Sequence, residues 1–336
     1  MTNARDRCAP MILSIAMATY NGARFLREQL DSFVAQSRQP DELVVNDDCS
    51  SDATVEILTR FAGVAPFPVR IHVNERRLGY AGNFNEALLR TTGDLVFLSD
   101  QDDVWFPQKL AQMSVVARAD PRAMVVMNDA ALTFADLSGT GLSKLGQFAS
   151  EGQPEADFVN GCCAAIRREF LDLCLPLPAG CPSHDEWIVG LAVALGRRHI
   201  QRDVLQLYRR HGGNVSFEPT DSTAPVFRSR KKVAYWQQLW RNRSVGRNRD
   251  VGQVGSVWNW NGARLAWVSR SLDVAPVHLA HELHRLHAVL KHRAERESIR
   301  CLPPWKRPRE VLSLWRASRY QEASGLRSVV RDLAGF

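Results

Sequence analysis

Residues 93–105 read GDLVFLSDQDDVW. An apolar run, Leu95 to Leu98, stops at Ser99, and Asp100, Asp102 and Asp103 follow at once, with Trp105 just beyond. Such a run predicts a short strand buried on both faces. A strand so apolar that delivers three carboxylates and an aromatic at its end poses the question of what those groups serve.

The flanking sequence has the same grammar. MILSIAMATY (11–20) predicts a first strand, and Asn21-Gly22 turns into a helix whose inner face is Leu26, Leu30, Phe33 and Val34. ELVVNDD (42–48) predicts a second strand. Ser51 or Asp52 suits the cap of the next helix, which turns Val55, Leu58 and Phe61 inward and stops at Gly63. VRIHVN (69–74) is a third strand, and a helix from about Gly79 to Arg90 precedes the fourth, DLVFLSD. Pro107 opens the helix that runs to about Ala119. Alternation of this kind predicts an α/β fold, a Rossmann-like, mostly parallel sheet with helices on both faces.

In such sheets ligands bind beyond the carboxyl ends of the strands. Thr19, Tyr20 and Asn21, then Asp47 and Asp48, then Asn74, then the acidic turn all fall at those ends. Hard divalent cations take oxygen ligands, and Mg²⁺ commonly uses one or two carboxylates plus substrate phosphates. Such a cation can neutralise a diphosphate leaving group. Neither a P-loop nor a GxGxxG follows the first strand, which disfavours a P-loop kinase and a Rossmann dehydrogenase.

Composition bounds the rest. The net charge of +7 is unevenly spread: of 43 Lys+Arg and 36 Asp+Glu, 22 and 8 lie from Pro225 onward, leaving 21 and 28 before it. An acidic body, residues 1–224, therefore precedes a basic, mainly helical C-terminal extension, residues 225–336, with EPTDSTAP near the join. The longest apolar stretch, Trp187 to Leu195, is too short to span a bilayer, which needs about 20 residues. The expected location is cytoplasmic, with peripheral contact at the inner membrane surface as an option. The seven cysteines, at 8, 49, 162, 163, 174, 181 and 301, have no CxxC or zinc spacing and read as reduced thiols. Cys162 and Cys163, read as adjacent strand residues, should point to opposite faces.

Two segments of the extension stand out. RSRKKVAYWQQLWRNRSVGRNR (228–249) sets Val233, Trp236 and Trp240 at helical spacing among basic residues. It suits an anionic membrane surface or packing against the body, with nucleic acid the least favoured partner. PVHLAHELHRLHAVLKHR (276–293) carries Leu279, Leu283, Leu286 and Leu290 as a stripe, either core or a homodimer seam. His278, His281, His284 and His287 drift around the helix and cannot converge on one metal.

SIAMATYNGARFLREQLDSFVAQSRQPDELVVNDDCSSDATVEIL, then NERRLGYAGNFNEALLRTTGDLVFLSDQDDVW, resembles the nucleotide-binding half of glycosyltransferase family 2. FVNGCCAAIRREF, PSHDEWIVGLA and LQLYRRHGGNVS follow in order and resemble its later motifs, the last in a rhamnosyltransferase-like bacterial branch. The resemblance covers about residues 11–217. It implies a GT-A fold, inversion at the anomeric carbon and a nucleoside-diphosphate sugar donor. By motif, Thr19, Tyr20, Asn21, Asp47 or Asp48, Asn83, Asp100 and Gln101 would face the donor. Asp102 would bind Mg²⁺ or Mn²⁺, with His211 near the metal or diphosphate. Gly161, Cys162, Trp105 and Glu186 would lie toward the acceptor, and Asp185 would be the general base.

Inversion in one displacement requires a group to take the acceptor hydroxyl's proton, and Asp185 at a helix start is suited to stay ionised. His184 or Asp185 as a simple N-cap is the alternative. Two departures from the motifs stand out. Cys49 occupies a position where glycine is usual, and Arg210 one where glutamine is usual. Arg210 would contact phosphate or face solvent, and Arg76 and Arg77 could approach a diphosphate. The expected reaction transfers a sugar, for example rhamnose from dTDP-rhamnose, to a hydroxyl of a cell-surface glycan or lipid-linked precursor. A UDP-hexose transferase and a non-catalytic nucleotide-sugar-binding scaffold are the alternatives.

Overall fold

A computed structural model describes residues 10–214, 219–225 and 259–316, with residues 328, 329, 332 and 333. The segment 228–249 lies outside the described residues. The chain divides into two compact units, one through residue 193 and from 197 to 256, the other residues 194–196 and from 257 on.

In the first unit β1 (Leu13–Thr19), β2 (Glu42–Asp47), β3 (Val69–Val73) and β4 (Leu95–Ser99) alternate with α1 (Leu26–Val34), α2 (Thr54–Ala62) and α3 (Gly79–Leu89). Then come β5 (Val104–Trp105), α4 (Lys109–Ala119), β6 (Val125–Thr133), β7 (Gly139–Ser143) and α5 (Lys144–Ser150). β8 (Ala164–Arg167), α6 (Arg168–Cys174), α7 (His184–Leu195) and β9 (Arg198–Arg209) complete the unit. The strand order is β3-β2-β1-β4-β8-β6-β9-β5, with β7 on β6.

β1 to β4 are parallel; β2 and β4 are buried throughout, while β3 at the sheet edge is partly exposed along its length. Beyond β4 the sheet becomes mixed: β8 runs antiparallel to both β4 and β6, while β6 and β9 are parallel. The chain crosses from one side of β1 to the other between β3 and β4. The carboxyl ends of β1 and β4 therefore lie at a topological switch point, where a crevice forms.

The core is built from Ile15, Met17, Leu30, Phe33, Val45, Leu58, Phe97 and Met113, all fully buried. Val34, expected inside, is 41% exposed because it ends α1 as the chain turns outward. In α2 the buried Thr54 fills the inner position and Val55 is half-buried. Asp52 serves that helix start, accepting from the Thr54 amide at 3.0 Å.

Glu42, at the opposite end of the sheet, ties three strands together. It accepts from Ser14 Oγ at 2.5 Å, Thr92 N at 2.6 Å and Arg70. Burial raises its pKa, but the Ser14 and Thr92 hydrogen bonds and Arg70 more than reverse this, so the pKa is lowered. A depressed carboxyl stabilises above its unfolded pKa and loses that stability as pH falls through its folded value. Glu42→Gln should therefore cost about 1–3 kcal/mol at pH 7, and chemical denaturation below pH 4 should show the difference closing.

The second unit contains α8 (Trp260–Ser271), α9 (Val277–Cys301) and α10 (Arg307–Arg316). Trp267 and Val268 of α8 are buried, and α8 packs on α9. Leu279, Leu283, Leu286 and Leu290 are buried within the chain, so the stripe is core. His278, His281 and His284 are exposed. Ile299 packs with Val311, and Arg296 and Arg300 both pair with the buried Asp332, at 2.6 and 2.8 Å. No helix among the described residues is long and apolar enough to cross a membrane.

Candidate active site

The ends of β1, β2 and β3 are fastened by polar side chains. Thr19 Oγ1 donates to Asp47 Oδ2 at 2.7 Å, and Asp47 also accepts from Ser50 N and Ser50 Oγ at 2.8 and 2.6 Å. Asp48 accepts from the Leu78 and Gly79 amides at 2.7 and 2.9 Å and from Asn74 Nδ2 at 2.9 Å. A carboxylate there satisfies amides that open α3 and have no partner within the helix. Asn83 is buried, donates to Thr19 O at 3.1 Å and accepts from Asn46 at 2.8 Å. Thr19, Asp47, Asp48 and Asn83, expected at the donor, thus stand hydrogen-bonded to one another's segments at the strand ends.

Cys49 has φ 64, the left-handed region in which a Cβ is strained. Its thiol lies 3.0 Å from Asn74 O. Cys49→Val, β-branched at positive φ, should lower stability by about 2 kcal/mol. Cys49→Gly should leave it within about 1 kcal/mol, because relief of strain offsets a more flexible unfolded chain. Thermal unfolding of the pair checks this.

Gln101 clamps the acidic turn to β1. Its Oε1 accepts from Tyr20 N at 2.9 Å and its Nε2 donates to Tyr20 O at 3.0 Å. A Cβ on Gly22 would stand 2.1 Å from Gln101 Oε1, so the turn after β1 needs glycine for this approach. Asn21, with φ 47, accepts from Ser51 N at 2.8 Å. The Arg77 guanidinium lies 3.8 Å from the Tyr20 ring centre and 4.0 Å from Asp48 Oδ2. Arg210, expected on phosphate or in solvent, turns instead toward Asp221, 3.8 Å away, with its side chain 12% exposed.

Beyond β4 the three carboxylates separate in role. Asp102 Oδ2 lies 2.8 Å from His211 Nε2 and 3.2 Å from Asn214 Nδ2, so residues 109 positions apart meet. His211 Nδ1 accepts from the Gly213 amide at 3.1 Å, which leaves the ring proton on Nε2, facing Asp102. Phe25 lies against the imidazole, ring centres 4.5 Å apart. Arg209, buried, donates to Asp102 O at 2.8 Å and Ala135 O at 2.7 Å, pairs with Glu28 and lies over Phe25. This fixes the backbone on both sides of the Asp102–His211 contact.

Asp103 faces inward and accepts from Gln206 Nε2 at 2.9 Å. Burial, with repulsion from Asp102, raises its pKa to about 7. Burial, then repulsion from Asp102, Asp103 and Asp185, pushes Asp100 well above the usual carboxylate range. Behind them Lys109, also buried, donates to Cys162 O at 2.8 Å and to Gln206 Oε1, and lies 3.9 Å over Trp105. Burial lowers its pKa to about 8. Trp105, expected toward the acceptor, is 2% exposed and packs on Phe33 in the core, 4.8 Å between ring centres.

Gly161–Cys163 form a 3₁₀ turn before β8 rather than a strand, and both cysteines are buried. Cys162 Sγ lies within 4.8 Å of carboxylate oxygens of Asp100 and Asp103. Burial raises this thiol far above its ordinary pKa, so it stays protonated and is a poor ligand for a hard cation.

Asp185 stands in the first turn of α7. Its Oδ2 accepts from Gly161 N at 3.1 Å, and its Oδ1 from Glu186 N at 3.0 Å and Ser183 Oγ. Ser183 Oγ also accepts from Glu186 N at 3.2 Å, so Ser183 shares the cap and His184 takes no part. A Cβ on Gly161 would come within 3.1 Å of Asp185 Cβ and of His184 Nε2, so any larger residue would press these side chains to shift by a few tenths of an ångström. Burial raises the Asp185 pKa, and His184 with the Ser183, Glu186 and Gly161 hydrogen bonds reverses it to a net lowering. His184, stacked on Phe84 at 3.9 Å, is itself pushed toward neutrality by burial, so the hydrogen bonds carry the effect at neutral pH. Glu186 is exposed beside it.

A parallel half-sheet with an acidic turn at its switch point, and a hydrogen-bonded carboxylate at a helix start electrostatically close to it, is the arrangement of a polar ligand-binding crevice. Residues 14–173 match the family model described as Glycosyl transferase family 2. The match takes in just under half of the chain, and together with the glycosyltransferases among the chain's relatives it supports a glycosyltransferase with a mixed α/β sheet. It is similar to an uncharacterised glycosyltransferase of Nostoc, 27% identical over 64% of this chain and 69% of that protein. It is also similar to the dTDP-rhamnosyl transferase RfbG of Shigella flexneri, 25% identical over 60% of this chain and 75% of that protein. Among solved structures, TarS 1-349 of S. aureus in complex with UDP aligns over 83% of this chain and 87% of that one, at 19% identity and a TM-score of 0.49.

Lys109, Gln206, Arg209, Ser183 and Asn214 support the site without having been singled out in the sequence. Apart from Ser183, which meets Asp185 and Glu186 close by, each has a partner far off along the chain, 97 positions in the case of Lys109 and Gln206, and no local spacing reports such pairs.

Proposed function

We propose that this chain transfers a sugar, with inversion, from a nucleoside-diphosphate donor to a hydroxyl of a cell-surface glycan or lipid-linked precursor, and that the donor is dTDP-rhamnose. The observation carrying this reading is the convergence of Asp102 and His211, 2.8 Å apart, in the crevice beyond β4. The similarity to a dTDP-rhamnosyl transferase supports the choice of donor.

The carboxylates of the turn fit Mg²⁺ or Mn²⁺: they are oxygen donors whose mutual repulsion, visible in Asp100, a cation relieves. Asp102 would hold the ion, with His211 beside it. Ligation through Nε2 requires the Gly213 amide to release Nδ1; otherwise Nε2–H donates to a diphosphate oxygen. When bound, the ion neutralises charge on the departing diphosphate. Tyr20 and Arg77 offer an aromatic face and a cation at the crevice mouth for the nucleotide. Asp185, ionised and oriented by three donors, takes the proton of the attacking hydroxyl.

Thermal shift against a panel of nucleotide sugars, with and without Mn²⁺, tests the reading. At a hundred times its Kd, the donor should stabilise the protein by about 2.7 kcal/mol. Asp102→Asn should abolish the Mn²⁺-dependent part of that shift. A Mn²⁺-dependent shift with UDP-hexoses alone would overturn the rhamnosyl donor, and no nucleotide-dependent shift at all would overturn transfer by this site.

A further inference from the structure

We infer that the second unit carries a docking surface for an anionic phospholipid membrane, formed by Trp305, Leu312 and Trp315 within a basic rim of Lys306, Arg309 and Arg316. This inference rests on exposed side chains and charge alone and is independent of the sugar-transfer reading.

α10 has one apolar face committed to the fold: Val311 is buried, and Leu314 packs against the Ile299 cluster. Leu312 and Trp315 lie three residues apart, which places them together on the helix surface. Each is 47% exposed, and Trp305, just before the helix, is 78% exposed. Isolated exposed apolar residues need no explanation, but two tryptophans and a leucine within eleven positions form a group.

The charge around them selects the partner. Residues 305–316 hold four basic residues and one acidic, Glu310, and the chain from Pro225 onward holds 22 Lys+Arg against 8 Asp+Glu. Lys306, Arg309 and Arg316 are exposed. Tryptophan favours the headgroup level of a bilayer, where its ring is buried and its N–H stays wet. Lysine and arginine beside it are drawn to the negative surface potential of anionic lipids. An apolar protein partner would not call for this surplus of cations, and a second copy would set like charges against each other.

The experiment is vesicle flotation of the full chain, comparing phosphatidylglycerol-containing with pure phosphatidylcholine vesicles. The wild type should float with the anionic vesicles only, with a blue shift in tryptophan emission, and be released at high salt. The triple variant Trp305→Ser, Leu312→Ser, Trp315→Ser should lose about tenfold or more in partitioning. Arg309→Glu with Arg316→Glu should weaken binding to anionic vesicles with the apolar group intact. Circular dichroism and nucleotide-dependent thermal shift should be unchanged in both, because all of these residues belong to the second unit and the crevice residues to the first. Equal flotation by wild type and triple variant would overturn the proposal, since residues 228–249 are identical in both. Failure of the wild type to float, or a concentration-dependent dimer that the triple variant abolishes without vesicle binding, would also overturn it.

Discussion

Replacing Asp185 by asparagine should lower the transfer rate by roughly 10²–10⁴-fold. Donor affinity should change little, because the group acts on the acceptor proton. Asparagine keeps the size of the side chain and one oxygen, so it can still accept from Gly161 N or Glu186 N. The stability cost should stay near 1 kcal/mol, and thermal unfolding would separate a lost base from a lost fold. pH supplies a second readout. A depressed carboxyl is ionised above its folded pKa, so the base should stay competent until pH falls below the ordinary Asp value of about 3.9. A limb nearer neutrality would report Asp100 or Asp103, whose pKa values move the other way. Single-turnover transfer by both proteins from pH 5 to 8, with donor affinity measured alongside, decides the matter. Unchanged transfer by Asp185→Asn would remove the base assignment.

Strands and helices of the first unit were legible because burial on both faces demands apolar runs such as Ile15–Met17 and Leu95–Leu98, and those runs stand out locally. The positive φ at Cys49 was legible too, as the awkward occupant of a position suited to glycine. The use of each carboxylate was not. Asp47 and Asp102 look alike in sequence, each acidic and each beyond an apolar strand. One accepts from Thr19 and Ser50, while the other meets His211. What separates them is which loops the sheet brings near, and β9 reaches the acidic turn only because β6 and β9 pair in parallel beyond β8. Trp105 misled for a related reason. An aromatic after an acidic turn suggests a ligand-facing ring, but β5 pairs with β9 at the end of the sheet and turns the ring onto Phe33.

Lys109→Met should destabilise the protein by about 3–5 kcal/mol, because it removes one partner from a buried set of charges. In a chain of this size that is a Tm fall of roughly 10 °C. Methionine has similar volume, so a packing void is not the cause. Cys162 O and Gln206 Oε1 each lose a donor, and the Trp105 ring loses its cation. The larger effect is electrostatic. Asp100 and Asp103 repel each other and Asp102, and Lys109 is the cation that lowers both. Without it their pKa values rise further. The sign of the pH dependence follows: a carboxyl whose folded pKa is raised destabilises more as pH climbs through that value. The deficit of Lys109→Met should therefore be greater at pH 7 than at pH 5, where both carboxyls can be protonated and neutral. Denaturant titrations of the two proteins at both pH values measure it. A deficit independent of pH would mean that Lys109 serves through its two hydrogen bonds alone, and that the acidic turn holds its charge without help from below.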